Sequence, residues 1–198
     1  MNTALLVSNI TLWILLAGLT FTVMALARQI GILHERIAPA GALMVSGGPK
    51  VGEASPVIEV SDINGTDLSI GAARPDKKST LVFFLSPNCP VCKTLLPVLE
   101  SSAKSEKDWL EIMLASDGDS AGQKAFIEQY KLQGFTYILS SNLGLTFQVG
   151  KLPFAILLDQ DGIIRSKGLV NSREHLESLF EAKERGVASV QEYMSNLQ

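Results

Sequence analysis

Leu81-Val82-Phe83-Phe84-Leu85-Ser86-Pro87-Asn88-Cys89-Pro90-Val91-Cys92-Lys93 is the stretch that decides the reading of this chain. Its first five residues are too uniformly apolar to alternate, so they read as a strand buried on both faces. Lys93 to Glu100 reads as a helix. Cys89 and Cys92 are the only cysteines in 198 residues, and they stand at the junction between strand and helix. Two sulfurs at this spacing can close a small ring. The first lies at a helix N-terminus, where the positive end of the dipole favours a thiolate. This is the arrangement for reversible thiol–disulfide chemistry. A zinc site would need four ligands, and no second close pair exists; His34 and His175 stand alone and far apart in sequence. No metal and no other cofactor is expected.

Around this stretch the chain alternates strands and helices. Val57-Ile58-Glu59-Val60 and Thr66-Asp67-Leu68-Ser69-Ile70 flank Asn64-Gly65, a hairpin signal. A strand is predicted near Leu110 to Ala115. Asp119 or Ser120 caps a helix running to about Tyr130. A short strand over Phe135 to Leu139 and a short amphipathic helix from Asn142 to Gln148 follow. Phe154 to Leu158 and Ile163-Ile164-Arg165 read as strands joined by the turn Asp159-Gln160-Asp161-Gly162. Ser172 caps a last helix to roughly Arg185, and the tail after Gly186 reads as frayed. The pattern implies an α/β fold, a mixed sheet covered by helices on both faces.

The first 27 residues carry no charged side chain; Arg28 is the first. They account for a mean hydropathy of +0.23, high for a soluble domain. Ala4 to Ala27 as a helix would reach about 36 Å, enough for a hydrocarbon core of about 30 Å. Residues 1–28 are therefore read as a transmembrane anchor. A cleaved signal peptide fits less well, because no basic n-region precedes the apolar run and the run exceeds an h-region. Ala38-Pro39-Ala40-Gly41-Ala42 and Ser46-Gly47-Gly48-Pro49 make 29–50 a linker, and 51–198 the folded domain. Arg28 and Arg36 follow the span and nothing basic precedes it, which by the positive-inside rule would put the domain in the cytoplasm. A tethered dithiol pair makes most sense where disulfides persist, outside the cytoplasm. The net charge of −3, the pI of about 5.4 and the lack of a basic stripe argue against a nucleic-acid partner.

At Cys89-Pro90-Val91-Cys92 and beyond, the chain resembles the thioredoxin superfamily, in its membrane-tethered redoxin branch, over about Val51 to Glu181. Pro97 falls where thioredoxins kink the active-site helix, and Leu152-Pro153 where they place a cis-proline facing the disulfide. The resemblance implies a thioredoxin-like mixed sheet flanked by helices behind one N-terminal transmembrane helix. It implies Cys89 as exposed nucleophile and Cys92 as shielded resolving thiol. Pro90 suits the first helical position, where its missing N–H costs nothing. With Val91, Leu152 and Pro153 it would form the substrate-binding surface, the backbone beside Pro153 pairing with a client as an added strand. One departure stands out. Thioredoxin carries a buried acid six residues before its first cysteine, where this chain has Phe83. Lys93 reads as solvated, and no base is identified.

More narrowly, Ser86 to Lys93 behind a membrane span resembles the accessory proteins of methylamine dehydrogenase. That resemblance implies an enzyme of the inner membrane with its catalytic domain in the periplasm. Such an enzyme would form or isomerise disulfides in a disulfide-rich client, the small subunit of a quinone-cofactor amine dehydrogenase. An integral membrane redox partner would reset the pair. Proline first between the cysteines is shared with strong periplasmic oxidants, but potentials from about −270 to about −120 mV are open to such pairs. Three alternatives stay open. A thiol reductase of the cytochrome-c-maturation type would run the same chemistry in reverse. A peroxiredoxin-like peroxidase has Ser86 three residues before Cys89 but lacks a nearby Arg. A non-enzymatic binding module would keep working without Cys89.

Overall fold

The computed structural model describes residues 2–36 and 47–185, and the chain divides into two units, 1–42 and 43–198. In the first unit, α1 runs from Asn2 to Arg36. Its segment Asn2–Met24, with a mean hydropathy of 2.0, is the one helix among the described residues long and apolar enough to cross a membrane. Trp13 is 65 % exposed and Phe21 77 % exposed. The hydroxyls of Thr11, Thr20 and Thr22 donate to the carbonyls of Val7, Leu16 and Gly18 at 2.6, 2.8 and 2.9 Å. These three hydroxyls are thereby satisfied within the helix, as they would have to be in hydrocarbon. Ala38 to Ala42 and the tail after Gly186 lie outside the described residues.

The second unit is built on a five-stranded sheet in the order β5-β4-β3-β6-β7. Its strands are β3 (Ser79–Phe84), β4 (Leu110–Ser116), β5 (Thr136–Leu139), β6 (Phe154–Leu158) and β7 (Ile164–Leu169). The central strand β3 is buried at all six positions. It runs parallel to β4, with Phe84 opposite Ala115, and antiparallel to β6, with Phe84 opposite Phe154. Alternation along β3 divides the core in two. Leu81, Phe83 and Leu85 enter one cluster; Val82 and Phe84 enter the other.

The first cluster is closed by three helices: α2 (Pro90–Ser105) with Leu95, Leu96 and Leu99, α3 (Ser120–Tyr130) with Phe126 and Ile127, and α5 (Arg173–Arg185) with Leu176, Leu179 and Phe180. On the other face stand the short α4 (Ser141–Thr146), with Leu143, and the hairpin of β1 (Ile58–Ser61) and β2 (Asp67–Ile70). Helices therefore flank both faces unequally, and the hairpin takes the place of a second long helix. The Asn64-Gly65 turn forms, with Gly65 at φ 87°. Asp62 accepts from the N–H groups of Thr66 (2.7 Å) and Asn64 (2.9 Å), which hold its carboxyl below the usual range. The Ile63 N–H donates to the Tyr137 carbonyl at 2.8 Å, docking this turn on β5.

Helix α3 starts where Asp119 accepts from the Gly122 N–H at 2.9 Å, and α4 where Ser140 accepts from Leu143 at 3.2 Å. In the β6–β7 turn Gly162 has φ 77°, and a side chain there would collide with the Gly71 carbonyl. Asp159 in the same turn is buried. It accepts from Asp161 and Ile163 N–H at 2.9 Å each and pairs with Arg165 at 2.6 Å. The Arg74 guanidinium binds Asp76, Glu111 and the Thr80 hydroxyl at the same end of the sheet, the start of β3, and holds the Asp76 carboxyl well below its usual range.

Candidate active site

Parallel pairing brings the C-terminal ends of β3, β4 and β5 to one sheet edge, and antiparallel pairing brings the start of β6 to the same edge. Loops outside the carboxyl ends of parallel strands are where such sheets carry their sites. Here Cys89 follows β3, Asp117 follows β4, Ser140 follows β5, and Leu152–Pro153 precedes β6.

Cys89 is the N-cap of α2, with extended backbone at φ −88° and ψ 111°. Its sulfur accepts from the Cys92 N–H at 3.2 Å, which satisfies one of the helix's first-turn donors. Pro90 sits at the first helical position, as its missing N–H requires. The two cysteines are joined as a disulfide with Cα atoms 5.3 Å apart, inside the ordinary range for such bonds. Cys89 is half-buried while Cys92 is fully buried in the cluster of Leu95, Leu96 and Leu99. The asymmetry follows from the helix: the cap points outward and the residue one turn in points at the sheet. Pro97 lies inside α2, so the Lys93 carbonyl lacks its usual i+4 donor. The Ser86 hydroxyl oxygen accepts from the Asn88 N–H at 3.3 Å.

The Leu152–Pro153 peptide bond is cis. Pro153 is buried, whereas Leu152 is 39 % exposed and Val91 40 % exposed. These two apolar side chains stand open at the edge that carries the disulfide. Between the strand ends and α4 lies a mostly apolar cleft of about 650 Å³, within the range of ligand pockets. Leu85 and Leu152 line it with Ala115, Ser116 and the exposed Leu145, and Asp117, Gln148 and Lys151 add its polar atoms.

Sequence reading had not located this cleft, since its lining comes from turns that carry no motif. It had also missed the polar network behind it. Gln123 of α3, 4 % exposed, donates to the Ser116 hydroxyl (3.0 Å) and the Asp117 carbonyl (2.6 Å). Tyr137 of β5 donates to Gln123 Oε1 at 2.6 Å. Burial pushes the Tyr137 hydroxyl up to about 12. A glutamine on the inward face of an amphipathic helix was the available signal. Among the described residues no group of three His, Cys or carboxylate side chains could hold a metal ion.

Comparison with known proteins agrees with this architecture. The redoxin family profile matches residues 50–183. Methylamine utilization protein MauD of Paracoccus denitrificans is 42 % identical over 196 residues, covering 99 % of this chain and 97 % of that protein. MauD of Methylobacillus flagellatus is 40 % identical over 192 residues, covering 97 % and 93 %. Among solved structures, StoA from Bacillus subtilis superposes with a TM-score of 0.53 at 24 % identity, over 67 % of this chain and 99 % of that one. The thioredoxin domain of a thiol-disulfide oxidoreductase from Bacteroides vulgatus gives 0.58 at 22 % identity, over 68 % and 98 %. At those identities the structures speak for the fold alone, which is thioredoxin-like, while near full-length identity above 40 % speaks for kinship: the chain belongs to the redoxin family and, within it, to the MauD proteins.

Proposed function

We propose that this protein is a membrane-anchored thiol–disulfide oxidoreductase of the periplasm that forms or isomerises disulfides during maturation of methylamine dehydrogenase. The observation that carries the reading is a disulfide between a half-buried helix cap, Cys89, and a fully buried Cys92, at the sheet edge shared with Leu152–Pro153. Cys89 is the atom a client thiolate attacks. The attack forms a mixed disulfide between the client and Cys89 and releases Cys92 as a thiol; a second client thiolate then displaces Cys89, so the client dithiol, oxidised by two electrons, leaves as a disulfide and both cysteines end as thiols. In isomerisation the steps run from the dithiol: Cys89 opens a client disulfide, and Cys92 resolves the mixed disulfide if the client does not. Pro90, Val91, Leu152 and Pro153 form the surface a client strand rests on. Residues 1–28 form the anchor and 51–198 the thioredoxin-like domain, with the linker between them ending before Gly47, whose carbonyl is bonded to Lys167 of β7. The kinship with MauD proteins supports the methylamine dehydrogenase small subunit as client. A membrane redox partner restores the pair.

The test is genetic and chemical together. A strain lacking this gene, complemented with wild type, Cys89→Ser or Cys92→Ser, is grown on methylamine, and the disulfides of the dehydrogenase small subunit are mapped by mass spectrometry. Only wild type should give the full disulfide set and growth. Equal growth with Cys89→Ser would refute redox catalysis in favour of a binding role. For topology, alkaline phosphatase fused after Gln198 should be active; an inactive fusion would mean that Arg28 and Arg36 direct the domain to the cytoplasm.

A further inference from the structure

Gly47 to Pro49 read in sequence as linker, yet they are fastened to the second unit. Lys167 of β7, half-buried, donates from Nζ to the carbonyls of Gly47 and Pro49, each at 2.8 Å. The strap continues along the start of β7, the edge strand. Gly52 donates to the Ile164 carbonyl (2.8 Å), Ile164 to Glu53 (3.0 Å) and Ser55 to Gly162 (2.8 Å). Two glycines fit it against the end of α4. A side chain at Gly47 would meet that of Gln148, and one at Gly48, φ 71°, would run into the Phe147 carbonyl. Val51 of the strap and Val149 pack against the same core cluster.

Gln148, next to Phe147, opens the segment that lines the cleft as far as Leu152, where the cis Leu152–Pro153 bond follows. Gln148 adopts φ 52°, a left-handed conformation uncommon for a residue with a side chain. Its N–H donates to the Leu145 carbonyl at 3.0 Å, and the Val149 N–H to Gly144 at 2.9 Å. Such a turn persists where its surroundings hold it, and the strap supplies part of those surroundings.

We infer that Lys167 is a positioning residue for client engagement: by fastening Gly47–Pro49 against the Phe147–Gln148 turn, it holds residues 148–152 in the shape that presents Leu152 to a client polypeptide. The inference rests on the reading that Cys89–Cys92 and Leu152–Pro153 together receive a polypeptide. A lysine suits the task because two carbonyls converge on one point, and an ammonium offers three donors on one atom. Glu53 is the nearby carboxylate whose charge supports it against burial.

The test uses full-length protein in detergent, comparing wild type, Lys167→Met, Lys167→Arg and Gly48→Ala. Single-turnover oxidation is followed with two probes, dithiothreitol and reduced, unfolded ribonuclease A. In both, one dithiol becomes a disulfide while the Cys89–Cys92 bond takes up two electrons and two protons. Lys167→Met should raise the ribonuclease concentration for half-maximal rate about tenfold, leave the maximal rate within about twofold, and leave the dithiothreitol rate within about twofold. Lys167→Arg should restore most of the loss, and Gly48→Ala should reproduce it. Amide exchange at Gln148 and Val149 should quicken in Lys167→Met and Gly48→Ala. An unchanged half-saturation for ribonuclease, or a parallel loss with both probes, would overturn the positioning role. Wild type that oxidises dithiothreitol but not ribonuclease would instead overturn the polypeptide reading beneath it, and amide exchange would still test the clamp separately.

Discussion

Replacing Cys92 by alanine tests the assignment of the two sulfurs, and the structure sets both its cost and its outcome. Cys92 is fully buried among leucines, so serine would place a hydroxyl in apolar surroundings at about 1–3 kcal/mol. Alanine removes one heavy atom and costs about 1 kcal/mol in lost burial and cavity. Relative to the oxidised protein, the variant also loses a ring of sequence separation 3. The chain-entropy relation values that ring at about 2 kcal/mol. Together these make about 3 kcal/mol, or a Tm about 6–12 °C below the oxidised wild type for a unit of this size. Against reduced wild type the deficit should shrink to about 2–4 °C. The variant therefore stays folded and can be assayed. Mixed with scrambled, disulfide-bonded ribonuclease A, Cys92→Ala should accumulate a mixed disulfide on non-reducing gels, because Cys89 attacks and nothing resolves the adduct. Cys89→Ala should accumulate none, because the remaining sulfur is sealed in the core, and iodoacetamide should leave it unmodified until the protein is denatured. Equal trapping by the two variants, or ready alkylation of Cys92 in folded Cys89→Ala, would refute the assignment.

Three further expectations can be measured on the same preparation. Tyr137 ionises at about 12 in the folded protein, above its unfolded value of about 10. The unfolded chain thus loses that proton first, and stability should fall between pH 10 and 12 by about 3 kcal/mol. In Tyr137→Phe that alkaline loss should vanish, while stability at neutral pH drops by about 1–3 kcal/mol because Gln123 Oε1 loses its donor; urea unfolding against pH checks both. Asp159→Ala strips two backbone N–H groups and Arg165 of their shared acceptor and should cost about 3 kcal/mol, seen as a Tm about 6–12 °C lower. The rate at which the disulfide oxidises dithiothreitol should rise with pH along a single ionisation, that of the attacking thiol. A second inflection between about pH 4 and 7 would reveal a buried acid coupled to the site.

The sheet and the site were legible to different depths. Uniform apolarity at Leu81–Leu85 marked a strand buried on both faces, and odd and even residues of β3 indeed enter separate clusters. Asp119, Asn64-Gly65 and the Asp159–Gly162 turn act through their own backbone, so their signals needed no tertiary context. Helix α2 begins at Pro90, the first helical position that its missing N–H suits, with Cys89 as the cap and its sulfur in place of the usual hydroxyl. The division of labour between the faces was not legible. Periodicity says that α4 and the β1–β2 hairpin have an inward side, but only packing decides which face they close. The strap was misread for a physical reason as well. Gly47-Gly48-Pro49 has the composition of a free linker, and its attachment depends on a lysine about 120 residues downstream. Glycine there serves close approach to Phe147 and Gln148 rather than freedom.

Charge is distributed along β3 in a way that bears on how the site handles protons. Arg74 with Asp76 and Glu111, and Arg165 with Asp159, stand where β3 begins, since Thr80 pairs with Glu111 on one side and Leu158 on the other. Lys183 reaches the Ser79 hydroxyl at the same end. The disulfide follows the opposite end, after Phe84. Asp159 is the only buried carboxylate among the described residues, so none lies beneath Cys92, and Phe83 is fully buried within the apolar cluster that Cys92 shares. Opening the bond to two thiols takes up two protons, and a carboxylate at the far end of the strand cannot relay them. They must enter from the exposed side, through solvent or through the client's own thiols beside Cys89. The helix terminus and the Cys92 N–H remain the polar groups that stabilise charge on the Cys89 sulfur. On this geometry the protein contributes shape and a fixed dipole to the exchange, while the electrons come from the dithiol being oxidised and the protons from that dithiol or from solvent.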